Sequence, residues 1–115
     1  MVVNLNGPIV WKKEINNYGL RAPMVGHVGD GNFHSTIIYD PSNKEDYKMI
    51  RDFSNKLVDK ALELQGTVTG EHGIGINKKE YLKKQHPDNI VLMQTLKRSI
   101  DPKNIMNPGK IFDLE

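Results

Sequence analysis

Four side chains in this sequence bring together the types needed for metal-assisted proton chemistry. His27 and His34 bracket Gly26-His27-Val28-Gly29-Asp30-Gly31-Asn32-Phe33-His34, and Glu71 and His72 are neighbours in Gly70-Glu71-His72-Gly73-Ile74-Gly75. Neutral imidazole is a common ligand for divalent ions. Two imidazoles and a carboxylate with open coordination positions suit zinc, manganese or iron(II), with zinc or manganese the first expectation. Such an ion stabilises the anion of a bound hydroxyl. A further imidazole beside it, with an ordinary pKa near ~6.5, accepts a proton close to neutral pH. His27, His34 and Glu71 are therefore the candidate metal ligands, and His72 the candidate base. Each residue also has a plainer reading: a glycine-rich turn with two surface histidines, and a carboxylate that caps or salt-bridges beside an ordinary loop histidine.

The elements that must position these residues follow from pattern. Ala22–His27 and Phe33–Tyr39 read as strands, the second rich in aromatic and β-branched residues. Asp30-Gly31 between them is a strong turn signal, which makes the pair a hairpin. A turn centred on Asp30-Gly31 sets His27 across from His34, so that both imidazoles share a face. Asp40-Pro41 ends the second strand. Ser42-Asn43-Lys44-Glu45 fits a capping box. A long helix follows, with Tyr47, Ile50, Phe53, Leu57, Ala61 and Leu64 as its apolar stripe and Gly66 as its stop. Thr67–Thr69 reads as a short strand, and Asn77–Leu82 as a helical turn. A last helix begins at Pro87, buries Leu92, Met93, Leu96 and Ile100, and stops at Asp101-Pro102. Near the start, Asn4, Asn6, Gly7 and Pro8 read as loop. Trp11 to Asn17 reads as the end of a helix, stopped by Gly19. This order predicts an α+β fold, an antiparallel sheet with helices on one face.

Glu71 and His72 would face opposite ways in an extended strand. They serve one site only if the chain turns there, and the flanking glycines allow that. Neither Gly29-x-Gly31 nor Gly73-x-Gly75 matches a dinucleotide-binding fingerprint.

Composition narrows the classes. The 115 residues support one domain with a modest core, at 37% apolar and 26% charged residues. A formal net charge of +2 without an arginine–aromatic stripe gives no case for nucleic acid. No apolar run approaches the roughly 20 residues of a membrane helix, and no secretory pattern precedes the first elements. The absence of cysteine excludes disulfides, thiolate metal sites and cysteine nucleophiles. Lys78, Lys79, Lys83 and Lys84 read as a solvated helix face, His86 as a solvated residue ahead of a helix, and Trp11 as packing.

Three motifs in order carry a resemblance that covers most of the chain, from about Tyr18 to Phe112: Gly26-His27-x-Gly29-Asp30-Gly31-Asn32-x-His34, then Thr69-Gly70-Glu71-His72-Gly73-Ile74-Gly75, then Asp101-Pro102-x-x-Ile105-Met106-Asn107-Pro108-Gly109-Lys110. The sequence resembles the C-terminal part of the FAD-linked 2-hydroxy-acid dehydrogenases. This is the branch of the vanillyl-alcohol-oxidase superfamily that contains D-lactate dehydrogenase (cytochrome), the glycolate oxidase flavoprotein subunit and D-2-hydroxyglutarate dehydrogenase. Thr69–Gly73 and Pro108–Phe112, together with Thr36 two residues after His34, tilt the resemblance toward the D-lactate group.

The resemblance implies a ferredoxin-like cap domain that covers a flavin held by a separate N-terminal domain. It divides the chain into an N-terminal segment of other character (1–17) and an incomplete cap (18–115). It implies His27, His34 and Glu71 as metal ligands and His72 as the base. Asn107 is implied to lie close to the FAD ring. The reaction implied is oxidation of D-lactate to pyruvate, with FAD as hydride acceptor and an electron acceptor such as cytochrome c. The compartment implied is mitochondrial in a eukaryote. Because the flavin domain lies outside these residues, the chain reads as a fragment that is inactive alone. The other expectation is a non-catalytic metal-binding or degenerate module that acts only with a separate flavin-binding chain. A stand-alone metal hydrolase ranks last, for want of a further acid or an oxyanion arrangement.

Overall fold

A computed structural model describes the backbone of residues 7–114 and the side chains from Ile9 onward. Expectations for Asn4 and Asn6 therefore lie outside the described residues. The described chain falls into two units, divided between Glu71 and His72.

The first unit opens with α1 (Gly7–Asn17). Gly7 and Pro8 are helical rather than loop, because proline's fixed φ and missing N–H suit a first helical turn. The helix stops as its sequence predicts. Gly19 takes φ +63, its N–H reaches the Asn16 carbonyl at 3.1 Å, and Leu20 N–H reaches the Ile15 carbonyl at 3.1 Å. This is a Schellman ending.

β1 (Met24–His27) and β2 (Asn32–Ser35) form a two-stranded antiparallel sheet. Beyond it the pairing of these two segments continues as a bridge between Arg21 and Ile38. The register is Met24 with Ser35, Val25 with His34, Gly26 with Phe33 and His27 with Asn32. His27 is thus not opposite His34, as a tight Asp30-Gly31 turn predicts. Val28–Asp30 form a 3-10 turn, Gly31 closes it at φ +68, and Gly31 N–H bonds the Val28 carbonyl at 3.0 Å. The longer loop moves the pairing by two residues. A shift of two preserves side-chain parity, so His27 still alternates onto the face of β2 that carries His34.

α2 (Lys44–Glu63) is capped by Asn43, not by Ser42. Asn43 Oδ1 accepts from Glu45 N at 3.0 Å and Asp46 N at 3.4 Å. Ser42 is held instead by Asp40, whose Oδ1 accepts from its hydroxyl at 2.7 Å and its N–H at 2.9 Å. These bonds hold the Asp40 carboxyl below its ordinary range. Phe53, Leu57, Val58 and Ala61 make the buried stripe, while Tyr47 is half exposed. Gln65, not Gly66, adopts the left-handed conformation at the helix end (φ +58), with Gly66 N–H on the Ala61 carbonyl at 2.8 Å.

The core of this unit joins its elements through aromatics. Trp11 meets Phe33 edge to face at 4.3 Å between centroids, and Tyr18 meets Phe53 at 5.5 Å. Each fully buried phenylalanine contributes about 1.5–3 kcal/mol. Residues 67–69 form no strand beyond a single bridge position at Thr67, yet Val68 is buried in the core.

The second unit carries α3 (Lys79–Gln85), a 3-10 turn at Pro87–Asn89 and α4 (Ile90–Ile100). No residue of α4 is buried: Leu92, Leu96 and Ile100 are 60%, 54% and 73% exposed. The expected buried stripe therefore faces outward. The basic run is not uniformly solvated. Lys79 pairs with Asp113 at 2.6 Å and Lys83 with Glu80 at 3.0 Å, and burial pushes the Lys78 ammonium pKa down. The fold is α+β, with helices and an antiparallel hairpin. No described helix is long and apolar enough to cross a membrane.

Candidate functional site

β2 fixes where His34 points. Its neighbours on the strand, Phe33 and Ser35, go to the opposite face. Phe33 packs on Trp11, and the Ser35 hydroxyl reaches the carbonyls of Ala22 (3.2 Å) and Pro23 (3.3 Å). Alternation leaves His34 on the other face with Asn32, and Glu71 arrives there. His34 Nε2 lies 3.7 Å from Glu71 Oε1, with the imidazole 29% and the carboxylate 47% exposed.

The hairpin can bring His34 in only because residue 26 has no side chain. At Gly26 (φ +153) an added Cβ would lie 2.5 Å from the Asn32 carbonyl oxygen and 2.5 Å from Phe33 Cα. No side chain fits against backbone at that distance.

Glu71 sits in a 3-10 turn, Gly70–His72, entered and left through left-handed glycines at Gly70 (φ +57) and Gly73 (φ +72). In a strand, Glu71 and His72 would diverge. In a tight turn, successive side chains are about a third of a revolution apart. Glu71 and the next residue, His72, offer ligand atoms within 4.8 Å of each other. Glu71 thus has one imidazole from β2 and one from its own turn. His27, exposed at the end of β1, lies outside this group.

The donor set fits a divalent cation of the zinc or manganese kind: imidazole nitrogen and carboxylate oxygen, both partly open to solvent. A second observation agrees. Asn32, on the His34 face, is 7% exposed, and its Oδ1 is buried with no hydrogen-bond partner. A lone buried acceptor is uncommon, and a donor N–H on that face would satisfy it. Sequence reasoning passed over Asn32. Its signal was the i, i+2 spacing from His34 in a strand.

Asn107 lies in the second unit, within a loop organised by Asp101. Asp101 Oδ1 accepts from Ile105 N at 3.0 Å, and Oδ2 accepts from Met106 N at 2.9 Å and from the Lys97 ammonium. The Lys97 ammonium also donates to the Met106 carbonyl. The bond from Lys97 is the main cause that holds the Asp101 carboxyl below its ordinary range. Burial opposes it, and the two amides assist. The loop passes through left-handed residues at Asn104 (φ +50), Asn107 (φ +47) and Gly109 (φ +68). Asn107 lines a cleft of about 230 Å³ with Met106, Lys110, Ile111 and Phe112. That is less than the roughly 300–1,000 Å³ of a whole small-molecule site.

The chain is similar in sequence to known proteins. The chain is 42% identical over 104 residues to "Probable D-lactate dehydrogenase, mitochondrial" of Danio rerio, covering 90% of this chain and 21% of that protein. It is 45% identical over 105 residues to "D-lactate dehydrogenase [cytochrome], mitochondrial" of Kluyveromyces lactis, covering 90% and 18%. It is 43% identical over 96 residues to "Glycolate oxidase subunit GlcD" of Bacillus subtilis, covering 83% and 20%. The chain thus spans about a fifth of the length of these relatives. The family described as "FAD linked oxidases, C-terminal domain" matches residues 10–111. On that match across nearly all of its length, the chain belongs to the FAD-linked oxidases, as their C-terminal domain.

Proposed function

We propose that this chain is the substrate-side part of a flavin-dependent 2-hydroxy-acid dehydrogenase that oxidises D-lactate to pyruvate. The observation that carries the reading is the approach of His34 Nε2 to Glu71 Oε1, 3.7 Å apart and drawn from distant stretches of the sequence. In this reading His27, His34 and Glu71 hold a zinc or manganese ion, and His72 is the base. When bound, the cation supplies Lewis-acid stabilisation of an alkoxide, and the flavin supplies a two-electron acceptor.

The chain's own residues do the rest. Glu71 offers a carboxylate oxygen beside the His34 imidazole, and a cation held there would in turn hold the substrate's hydroxyl. His72, held beside Glu71 by the turn, takes the proton from the α-hydroxyl at an imidazole nitrogen. Loss of that proton raises electron density on the α-carbon, which favours oxidation there. Asn107, on its left-handed turn, presents its side chain at the cleft rim for the ring edge. The domain reading is an N-terminal segment (1–17) followed by the cap (18–115), with FAD held chiefly by residues outside this chain.

The electron acceptor in this reading is a cytochrome such as cytochrome c, in keeping with the word "cytochrome" in the name of the Kluyveromyces lactis relative, and a mitochondrial location in a eukaryote accords with the names of that relative and the Danio rerio one. Dependence of these residues on a flavin-binding domain or chain is part of the proposal. The test is D-lactate-dependent dye reduction by the chain alone and with a flavin-binding polypeptide of the family, with zinc or manganese present. Activity only with the partner, abolished by His72→Ala, supports the reading. Turnover by the chain alone refutes the dependence on a partner. A partner that binds without restoring turnover favours a non-catalytic module.

A further inference from the structure

We infer that Asn32 is the positioning residue for His27: its amide oxygen accepts the N–H of one imidazole nitrogen, leaving the other to face the cation. The inference rests on the reading of His27, His34 and Glu71 as cation ligands. Four observations lead to it. Asn32 and His27 are direct cross-strand partners in the hairpin register, which sets their Cβ atoms about 4.5–5.5 Å apart. Asn32 Oδ1 is buried and has no hydrogen-bond partner. Alternation along β2 places Asn32 with His34 on the face that Glu71 reaches, since Phe33 and Ser35 are occupied on the other. His27 stands exposed at the strand end, outside the group formed around Glu71.

An imidazole that binds a metal through one nitrogen carries its proton on the other, and that proton needs an acceptor to fix tautomer and ring orientation. The Asn32 oxygen is a buried acceptor waiting at the partner position. With its N–H on this oxygen, the His27 ring keeps its second nitrogen free for the cation. The amide oxygen is neutral, so it orients the ring without competing for the cation's charge. The bond forms as the ring turns, which accounts for both an open acceptor and a ligand histidine standing apart.

The experiment measures zinc affinity by competition with a chromophoric chelator. It uses the full chain and its variants Asn32→Leu, Asn32→Asp and His27→Ala, and the His27→Ala/Asn32→Leu double variant. Asn32→Leu is expected to weaken zinc binding about 10–100-fold, the usual cost of losing such an acceptor. Its metal-free melting point is expected not to fall, because an unpaired buried acceptor is replaced by an apolar group of similar shape. Asn32→Asp, which keeps an acceptor oxygen, restores affinity. The double variant binds no more weakly than His27→Ala alone, because Asn32 acts only through that ring. Unchanged zinc affinity in Asn32→Leu, or additive losses in the double variant, overturns the inference while leaving the metal centre standing. Failure of the unaltered chain to bind zinc overturns the metal centre itself and the inference with it. Should Asn32→Leu not fold, Asn32→Ala carries the same comparison with the same expected loss.

Discussion

Glu71 is the side chain on which the site turns, because it meets an imidazole from β2 and stands beside another in its own turn. Replacing it with Gln keeps the shape and removes the charge. Glu71→Gln is expected to weaken zinc or manganese binding by at least about 100-fold, with the melting point of the metal-free chain little changed. Isothermal titration calorimetry beside a thermal melt checks both parts. His34→Ala should behave similarly. Asp101 works at the same scale but for stability. Its carboxyl is held below its ordinary value chiefly by Lys97, so the folded state binds its proton more weakly than the unfolded state does. The stability it contributes is present above the ordinary aspartate value of about 3.9, and is lost as pH falls through the lower folded-state value. Asp101→Asn is expected to unfold at lower urea than the unaltered chain at neutral pH, and the gap should close as the solution is made strongly acid. A gap that persists unchanged down to acid pH would show that the charge plays no part.

The hairpin is the element that delivers His34, and Gly26 is its tightest point. Gly26→Ala places a methyl 2.5 Å from backbone on β2 and demands a left-handed backbone of a residue with a Cβ. A loss of about 2–3 kcal/mol is expected, together with weaker metal binding, because β2 must move. Chemical denaturation and the zinc competition assay read the two effects. α2 gives a milder case. Asn43→Ala removes the acceptor for two first-turn amides and is expected to cost about 1 kcal/mol, whereas Ser42→Ala should leave the helix end untouched. The long stripe of α2 and the stop of α1 were legible in sequence, because an apolar repeat and a glycine after a helix are local signals. The hairpin register was not. Asp30-Gly31 fits a two-residue turn as well as it fits the close of a 3-10 turn, and the choice depends on how Gly26 packs against Phe33. The cap of α2 was misassigned by one residue, because Ser42 and Asn43 are equally good acceptors and Asp40 claimed the first.

Across the whole molecule, apolar pattern and burial part company on α4. Leu92, Leu96 and Ile100 have core spacing, yet all are more than half exposed. Periodicity records which face a helix would bury. It does not say that anything in the chain covers it. Leu96→Gln is therefore expected to change the stability of this chain by less than about 0.5 kcal/mol, measured by urea unfolding. Leu57→Ala on the buried stripe of α2 should cost about 2–5 kcal/mol. A large loss at Leu96 would mean that the helix is covered in solution.

Residue type and local order alone determined the family, the α+β class, the candidate histidines and carboxylate, and the need for a turn at Glu71-His72. Each is written in short motifs or in one element's periodicity. The tertiary structure alone decided that His34 and Glu71 meet, that His27 pairs with Asn32, and that the buried Asn32 oxygen has no partner. The first of these joins residues far apart in the chain, and the others depend on the register of the hairpin. They are set by the Trp11–Phe33 packing and by the close backbone approach at Gly26, neither of which any single segment specifies by itself, together with the local turn through Gly70 and Gly73.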